Sequence, residues 1–154
     1  MIAQTHLEDR RIVVGVDSSP GSKTALRWAL AQARITGATV EAVTAWRDPL
    51  VYDGWVPAPS NSYSIAAITE KVLAETVADV VGPQGQPTEV RTLVAEGPAA
   101  QVLLTASTGA ELLVVGSRGH GAFAGMLLGS VGQHCAQHAK CAVVVVPDDS
   151  GTTQ

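Results

Sequence analysis

The sequence predicts one α/β domain built on a doubly wound sheet of five parallel strands, with helices on both faces. Five short apolar runs alternate with four segments of helical periodicity, and this alternation requires right-handed crossovers between parallel strands. Of the 154 residues, 46% are hydrophobic but only 4% are aromatic. The apolar content is therefore mostly Ala, Val and Leu, as expected of buried strands and close-packed helices.

The strands are predicted from apolar, β-branched runs that end at turn residues. The first run stops at Asp17, and the second stops before Arg47. The first run is continuous rather than alternating, which indicates burial on both faces of a sheet. The five predicted strands are residues 12–16, 39–46, 89–94, 111–115 and 141–146.

Helical periodicity follows every strand except the last. The first helix is expected to end at Thr36-Gly37, and the third to begin with Pro98 at its first position, where a missing amide costs nothing. Ser130 is expected to cap the fourth helix. The four predicted helices are residues 22–35, 65–81, 98–108 and 130–138.

Residues 47–64 contain three prolines, a glycine and several serines, and are predicted to form a long loop. Loops of this length in a compact domain are usually functional covers or disordered segments. Residues 1–10 are expected to be a flexible N-terminus and residues 148–154 a flexible tail. The single domain is therefore predicted to span residues 11–147.

Composition excludes two classes of partner. The formal net charge is −4 and there is no dense run of Lys or Arg, so a nucleic-acid surface is not expected. The polar N-terminus is unlike a signal peptide, and apolar runs such as residues 142–146 are too short to span a bilayer. Cys135 and Cys141 are the only cysteines, and we expect reduced thiols in a cytoplasmic protein.

A candidate ligand site lies at the carboxyl ends of the strands, where open parallel sheets bind ligands. Asp17 follows the first strand, and the fifteen residues from Gly116 to Ser130, which follow the fourth, include five glycines. Such a loop can adopt positive φ repeatedly and expose amides to an anion, and a helix starting at Ser130 would favour negative charge. The alternative is that these glycines only form turns and that Ser130 only caps a helix. Because the glycines follow a buried strand, we favour a phosphate site.

Two familiar phosphate loops do not fit the sequence. The Walker pattern requires a lysine before its Ser or Thr, and Leu128-Gly129-Ser130 has none. The dinucleotide fingerprint belongs after the first strand, where residues 17–21 read Asp-Ser-Ser-Pro-Gly.

The spacing Gly116, two residues, Gly119, nine residues, Gly129-Ser130 resembles the ATP-binding branch of the universal stress protein family. The resemblance extends over about residues 10–147 and includes Asp17, residues 94–98 and the closing strand. It implies a Rossmann-like, adenine nucleotide alpha hydrolase-like fold with strand order 3-2-1-4-5. It also implies ATP as the ligand, together with Mg²⁺.

By position, the resemblance implies phosphate contacts through main-chain amides and the Ser130 hydroxyl, and a role for Asp17 near the ribose or a phosphate-bound Mg²⁺. It implies that the backbone of Ala45 meets the adenine edge. Gly132 stands where some relatives have a hydroxyl residue. The implied nucleotide-binding residues are Val16, Asp17, Ala45, Gly116, Arg118, Gly119, Gly129, Ser130, Val131 and Gly132.

Several residues keep a second interpretation. Asp17 could cap a helix, or accept a phosphoryl group as in response regulators, although that chemistry usually needs a lysine after the last strand, where Pro147 stands. Arg118 and His120 could assist phosphate binding or be exposed loop residues. His134 and His138 could bind a metal ion together or be solvated residues at the end of a helix. Cys135 and Cys141 are expected to pack as small apolar residues. Trp46 and Trp55 could contact the base or pack in the core.

The sequence assembles no nucleophile–base pair and no cationic clamp for a γ-phosphate. Together with the resemblance, which implies a nucleotide-dependent stress-response or signalling module, this predicts slow ATP hydrolysis at most rather than an efficient enzyme. An ATPase or nucleotidyl-transferring enzyme of related fold and a nucleotide-independent interaction protein are the alternatives. The strand from Cys141 to Val146 is expected at a sheet edge, and the resemblance implies a homodimer through it.

Overall fold

The computed structural model describes residues 10–48, 62–83, 88–118 and 128–147. Strands and helices alternate along these residues. They are β1 (Arg11–Gly15), α1 (Pro20–Thr36), β2 (Thr39–Trp46), α2 (Ser62–Val81), β3 (Val90–Glu96), α3 (Ala99–Ala106), β4 (Leu112–Gly116), α4 (Ser130–His138) and β5 (Ala142–Val146). Every predicted element is present: β2 and α4 have their predicted limits, and the ends of the other elements shift by at most three residues.

All five strands form a single parallel sheet in the order β3-β2-β1-β4-β5. The chain builds outward from β1 through β2 to β3, then crosses back to place β4 on the other side of β1. The winding therefore reverses between β1 and β4, and the predicted fold and strand order are confirmed. Ligands of such sheets bind beyond this reversal.

Both faces of the sheet are covered, which explains the continuous apolar runs. Ile12 and Val14 of β1 pack with Leu26 of α1 on one face, whereas Val13 packs with Leu103 of α3 on the other. The three β1 residues are fully buried. Helices α1 and α2 cover the first face, and α3 and α4 cover the second.

Helix α1 starts earlier than its periodicity suggested because Ser19 caps it. The Ser19 hydroxyl accepts a hydrogen bond from the Ser22 amide at 3.2 Å, and Pro20 occupies the first helical position. Gly37 ends the helix in the left-handed conformation, with φ of 79°. Its amide donates to the Ala33 carbonyl at 2.8 Å, as at many glycine helix ends.

One predicted helix cap and one predicted helix start are wrong by one residue. Gly129, not Ser130, is the N-cap of α4, and as a glycine it has no side chain that could cap the helix. The Gly129 amide donates to the Ser117 carbonyl at 2.6 Å, which holds Gly129 extended and makes Ser130 the first helical residue. Pro98 is likewise the extended N-cap of α3, and the helix begins at Ala99.

The described residues include parts of two segments for which no regular structure was predicted. Residues 62–64, which belong to the predicted 47–64 loop, are part of α2, while residues 49–61 lie outside the described residues. Arg10, from the predicted N-terminal segment, donates a hydrogen bond to the Thr36 carbonyl at the end of α1 at 3.1 Å. None of the described helices is both long enough and apolar enough to cross a bilayer.

Candidate functional site

A cleft of about 280 Å³ opens at the carboxyl ends of β1 and β2, and α2 forms its opposite wall. It brings together Asp17 and Ala45, two of the residues proposed from sequence. The residues that line the cleft are Asp17, Ser18, Thr44, Ala45, Ile68, Thr69, Val72 and Leu73. A mostly apolar concavity with a few oriented polar groups is the usual form of a small-molecule site.

The turn between β1 and α1 orients Asp17 at the rim of the cleft. Its Oδ1 accepts hydrogen bonds from the Ser19 amide, at 3.0 Å, and from the Ser19 hydroxyl. The Asp17 amide donates to the Ser22 hydroxyl at 3.2 Å. Because Ser19 is the N-cap of α1, the alternative in which Asp17 caps this helix is wrong.

Ser18 has a backbone conformation that sequence reasoning missed. Its φ is 67°, in the left-handed region that non-glycine residues seldom adopt. Its hydroxyl lies 3.4 Å from that of Thr76 on α2. Strained residues of this kind concentrate at ligand sites, where surrounding contacts hold them. Nothing in the run Asp17-Ser18-Ser19 distinguishes the middle residue as the left-handed one.

Thr44 ties the ends of β1 and β2 together. Its hydroxyl donates to the Val16 carbonyl at 2.9 Å, and the Val16 amide donates to the Val43 carbonyl at 2.9 Å. Val16 itself is buried, so it contributes backbone rather than side chain to this region. Thr44 was not among the residues proposed from sequence, although a hydroxyl directly before Ala45 near the end of β2 was the available signal.

Helix α2 presents apolar side chains to the cleft. Leu73 is buried, but Ile68 is 63% and Val72 is 41% exposed. The helix is joined to the start of α1 by the Ser18–Thr76 contact and by an ion pair between Lys23 and Asp79, with the charged atoms 3.4 Å apart. Sequence reasoning missed this wall because its apolar residues follow the spacing of an ordinary core-facing stripe.

Gly116 allows the end of β4 to lie directly against the start of α1. A Cβ atom at Gly116 would come within 3.0 Å of the Gly21 carbonyl oxygen, and one at Gly21 within 3.0 Å of the Arg118 carbonyl oxygen. Gly116 and Gly129 do not have positive φ, contrary to the expectation for this loop. At its described ends, the motif uses glycine for close backbone approach.

Backbone hydrogen bonds bring the two described ends of the glycine motif together. The Ser117 amide donates to the Val146 carbonyl at 2.9 Å, and the Ser117 carbonyl accepts from the Gly129 amide. Gly132 is buried, and a Cβ there would lie 3.7 Å from the Gly116 carbonyl oxygen. Gly116, Ser130, Val131 and Gly132 therefore share one region, while the Gly129 amide donates within the protein.

The other sequence-proposed residues divide between described and undescribed parts of the chain. Gly119, His120 and Trp55 lie outside the described residues. Arg118 is half-buried beside α1. Trp46 is half-buried at the end of β2, where its carbonyl accepts from the Gly97 amide at 2.9 Å, and it is not among the residues lining the cleft.

His134 and His138 lie on the exposed surface of α4, with their ring centroids 4.5 Å apart. Across the described ranges, no three His, Cys, Asp or Glu side chains form a group that could hold a metal ion. Cys135 is fully buried, and this burial, with a smaller effect of Cys141, raises the pKa of its thiol. Its position in the core agrees with the expected packing role.

Comparison with known proteins identifies relatives of this chain. The sequence profile of the universal stress protein family matches residues 9–147. The universal stress protein Rv2623 of Mycobacterium tuberculosis is 37% identical over 141 residues, an alignment that covers 91% of this chain and 46% of that protein. The chain thus spans about half the length of the curated relatives it matches.

Solved structures share the fold. The universal stress protein UspA from Lactobacillus plantarum matches with a TM-score of 0.70 at 19% identity, over 89% of this chain and 97% of that one. A universal stress protein solved in complex with cAMP matches with a TM-score of 0.59 at 25% identity, over 92% of this chain and 98% of that one.

Proposed function

We propose a function from the premise that this chain belongs to the universal stress protein family. The chain is a nucleotide-dependent stress-response or signalling module that binds an adenine nucleotide, and its ligand is ATP. The observation that carries the proposal is the cleft in which Asp17 and Ala45 face the apolar wall of α2. The relative that holds cAMP supports an adenine nucleotide as the ligand class.

The cleft suits the base and ribose of a nucleotide. Ile68, Val72 and Leu73 supply an apolar wall for a flat ring, and the backbone of Ala45 lies at the opposite side. Asp17 is exposed at the rim, where a carboxylate can accept hydrogen bonds from ribose hydroxyls. Val16 contributes to the same edge through its backbone.

The phosphates would extend from the cleft across the end of β1 toward β4. There the amino end of α4 presents Ser130, Val131 and Gly132 beside Gly116, and the positive end of the helix dipole favours an anion. Because the Gly129 amide already donates to Ser117, we assign the α4 contribution to the residues after it. Gly116 and Arg118 complete the proposed phosphate site from the other side, and Gly119, outside the described residues, is included for its place in the glycine motif.

A magnesium ion fits this site as a companion of the phosphates. Mg²⁺ is commonly bound by one or two carboxylates together with phosphate oxygens and water. The exposed Asp17 at the rim of the cleft is such a carboxylate, and its orientation is set by the two hydrogen bonds from Ser19. Asp17 would hold the ion, which when bound would neutralise phosphate charge.

The described residues favour binding over rapid turnover. The cleft is lined by one carboxylate and otherwise by neutral side chains. Fast phosphoryl transfer depends on cationic groups placed at the γ-phosphate and on a positioned nucleophile. We therefore propose slow hydrolysis at most, in a cytoplasmic protein, where the two free thiols would stay reduced.

We also propose a homodimer that forms through β5. This strand pairs with β4 on one side only and therefore lies at an edge of the sheet. Its residues are the apolar run Ala142–Val146, and exposed strand edges of this kind readily pair with a second chain. A two-fold axis beside β5 would satisfy the open backbone groups of both copies.

Calorimetric titration with ATP and Mg²⁺ tests the nucleotide proposal. We expect one nucleotide bound per chain, and we expect Gly119→Val to abolish binding while leaving the melting temperature unchanged, because a branched side chain would obstruct the phosphate loop. No heat with ATP, ADP, AMP or cAMP would favour a nucleotide-independent interaction protein. Product release at ordinary enzymatic rates, of about 1 s⁻¹ or faster, would favour an ATPase.

A further inference from the structure

Resting on the proposed nucleotide function, we infer that the Thr44 hydroxyl makes the cleft selective for a purine with an amino group at C6 over one with an oxygen there. The inference starts from the protons of the cleft's hydroxyl groups. A threonine hydroxyl has one proton to donate and two lone pairs that accept. Once the proton is committed to a protein carbonyl, the oxygen offers a ligand acceptor capacity alone.

Both threonines that line the cleft donate their hydroxyl protons to backbone carbonyls. Thr44 donates to the Val16 carbonyl at 2.9 Å. Thr69 donates to the Ile65 carbonyl, one turn earlier in α2, at 2.7 Å. Neither hydroxyl can donate to a bound base without breaking a hydrogen bond within the protein.

The remaining polar side chains of the cleft have the same character. Ser18 contacts the Thr76 hydroxyl at 3.4 Å. Because Thr76 donates its own proton to the Val72 carbonyl at 2.8 Å, Ser18 is the donor in this contact. The Asp17 carboxylate is an acceptor. Every polar side chain that lines the cleft is thus an acceptor toward a ligand, and such a lining matches ligand donors, as an exocyclic amino group provides.

Of the hydroxyls that line the cleft, that of Thr44 is best placed to contact the edge of the base. Thr44 precedes Ala45, the residue assigned to the adenine edge, and it lies in β2, where pairing with Val94 of β3 fixes its position. Thr69 lies across the cleft on α2. A 6-oxo group facing Thr44 Oγ1 would place two acceptor oxygens against each other, with no proton between them. Reorienting the hydroxyl to donate would leave the buried Val16 without this hydrogen bond to its carbonyl.

The experiment compares ATP with ITP, in which an oxygen replaces the amino group at C6 and N1 carries a proton. We expect the wild-type chain to bind ATP about tenfold more tightly than ITP, as one lost hydrogen bond and one opposed acceptor predict. Thr44→Val, which keeps the shape but removes the oxygen, should bring the two affinities together, mainly by weakening ATP. Thr44→Ser should restore the preference.

Thr69→Val is the matched control, because it makes the same substitution across the cleft and should keep the preference for ATP. Tripolyphosphate, which has no base, should bind equally to the wild type and to both valine variants. If Thr44→Val does not fold, Thr44→Ala replaces it, with circular dichroism as the check, and the same loss of preference is expected.

The outcomes separate this inference from the function it rests on. Equal binding of ATP and ITP by the wild type would overturn the inference and leave nucleotide binding intact. A preference that survives Thr44→Val would also overturn it, and its disappearance in Thr69→Val would then place the selectivity on α2. Binding of neither nucleotide, with or without tripolyphosphate binding, would refute the proposed function itself.

Discussion

At the scale of single residues, two glycines near the proposed phosphate site meet different neighbours. A Cβ atom at Gly116 would lie 3.0 Å from the backbone oxygen and 3.1 Å from the carbonyl carbon of Gly21. A Cβ at Gly132 would lie 2.7 Å from the Cδ1 of Leu128, at the far end of a flexible side chain. A backbone held by a strand and a helix can move less than a leucine side chain can rotate.

Gly116→Ala is therefore expected to be the more damaging of two otherwise identical changes. It should lower the free energy of unfolding by about 1–3 kcal/mol, because β4 or α1 must shift to admit the methyl group. Gly132→Ala should cost less, since Leu128 can turn away. Urea denaturation of both variants measures the difference, and a larger loss for Gly132→Ala would contradict the contact geometry.

Some residues of the site were predictable and others were not, for physical reasons. Asp17 and Ala45 follow from strand ends and from the family resemblance, and both line the cleft. The left-handed Ser18 was not predictable, because its conformation depends on the contacts that Asp17, Ser19 and Thr76 make around it. Exposed Ile68 on α2 has the same sequence pattern as a core residue, so only the structure separates the two.

At the scale of elements, the end of the sheet opposite the cleft is held by Arg11 at the start of β1. Its guanidinium donates to the Ala106 carbonyl at 2.8 Å and to the Thr108 carbonyl at 2.7 Å, and so satisfies carbonyls at the end of α3. The same group lies 3.4 Å from the Glu41 carboxylate. These contacts tie α3 to β1 and β2 without touching the cleft.

Arg11→Met should therefore separate stability from binding. Loss of the charged hydrogen bonds is expected to lower the free energy of unfolding by about 1.5–3 kcal/mol, with nucleotide affinity unchanged. Arg91→Met is the control, because Arg91 is 58% exposed and pairs with the exposed Glu89, a type of ion pair that contributes at most about 1 kcal/mol. Thermal unfolding and calorimetry test both variants; a parallel fall in affinity for Arg11→Met would show that the two ends of the sheet are coupled.

The elements themselves were largely predictable, because hydrophobic periodicity reports burial directly. The strand over residues 39–46 has its predicted limits as β2. A predicted helix cap fails where a hydrogen bond from outside the helix decides the geometry. Gly129 is the example, since its bond to Ser117 makes it the N-cap of α4 in place of Ser130.

At the scale of the whole molecule, the sheet has two open edges, β3 and β5. The alternation of strands and helices predicts a parallel sheet, but the order 3-2-1-4-5 came from the family resemblance, because alternation alone allows other windings. The cleft was not predictable in shape, since it depends on where α2 lies across the end of β2.

The proposed dimer makes a prediction that distinguishes these two edges. Ala142→Lys places a charge on an exposed position of β5 and should convert the dimer to a monomer, because charged side chains block strand pairing. Thr92→Lys makes the same change at an exposed position of β3 and should leave the dimer intact. Light scattering at micromolar concentration measures the mass; a wild-type monomer, or a dimer lost only with Thr92→Lys, would rule out β5 as the interface.

The central claim is that an adenine nucleotide binds across the end of β1, between the cleft and the start of α4. Amide chemical shifts of ¹⁵N-labelled protein, recorded during titration with ATP and Mg²⁺, test it most directly. We predict saturable shifts at Val16, Asp17, Ala45, Gly116 and Ser130, and none at Arg11 or Ala106 at the opposite end of the sheet. No saturable shift, or shifts confined to that opposite end, would contradict the account.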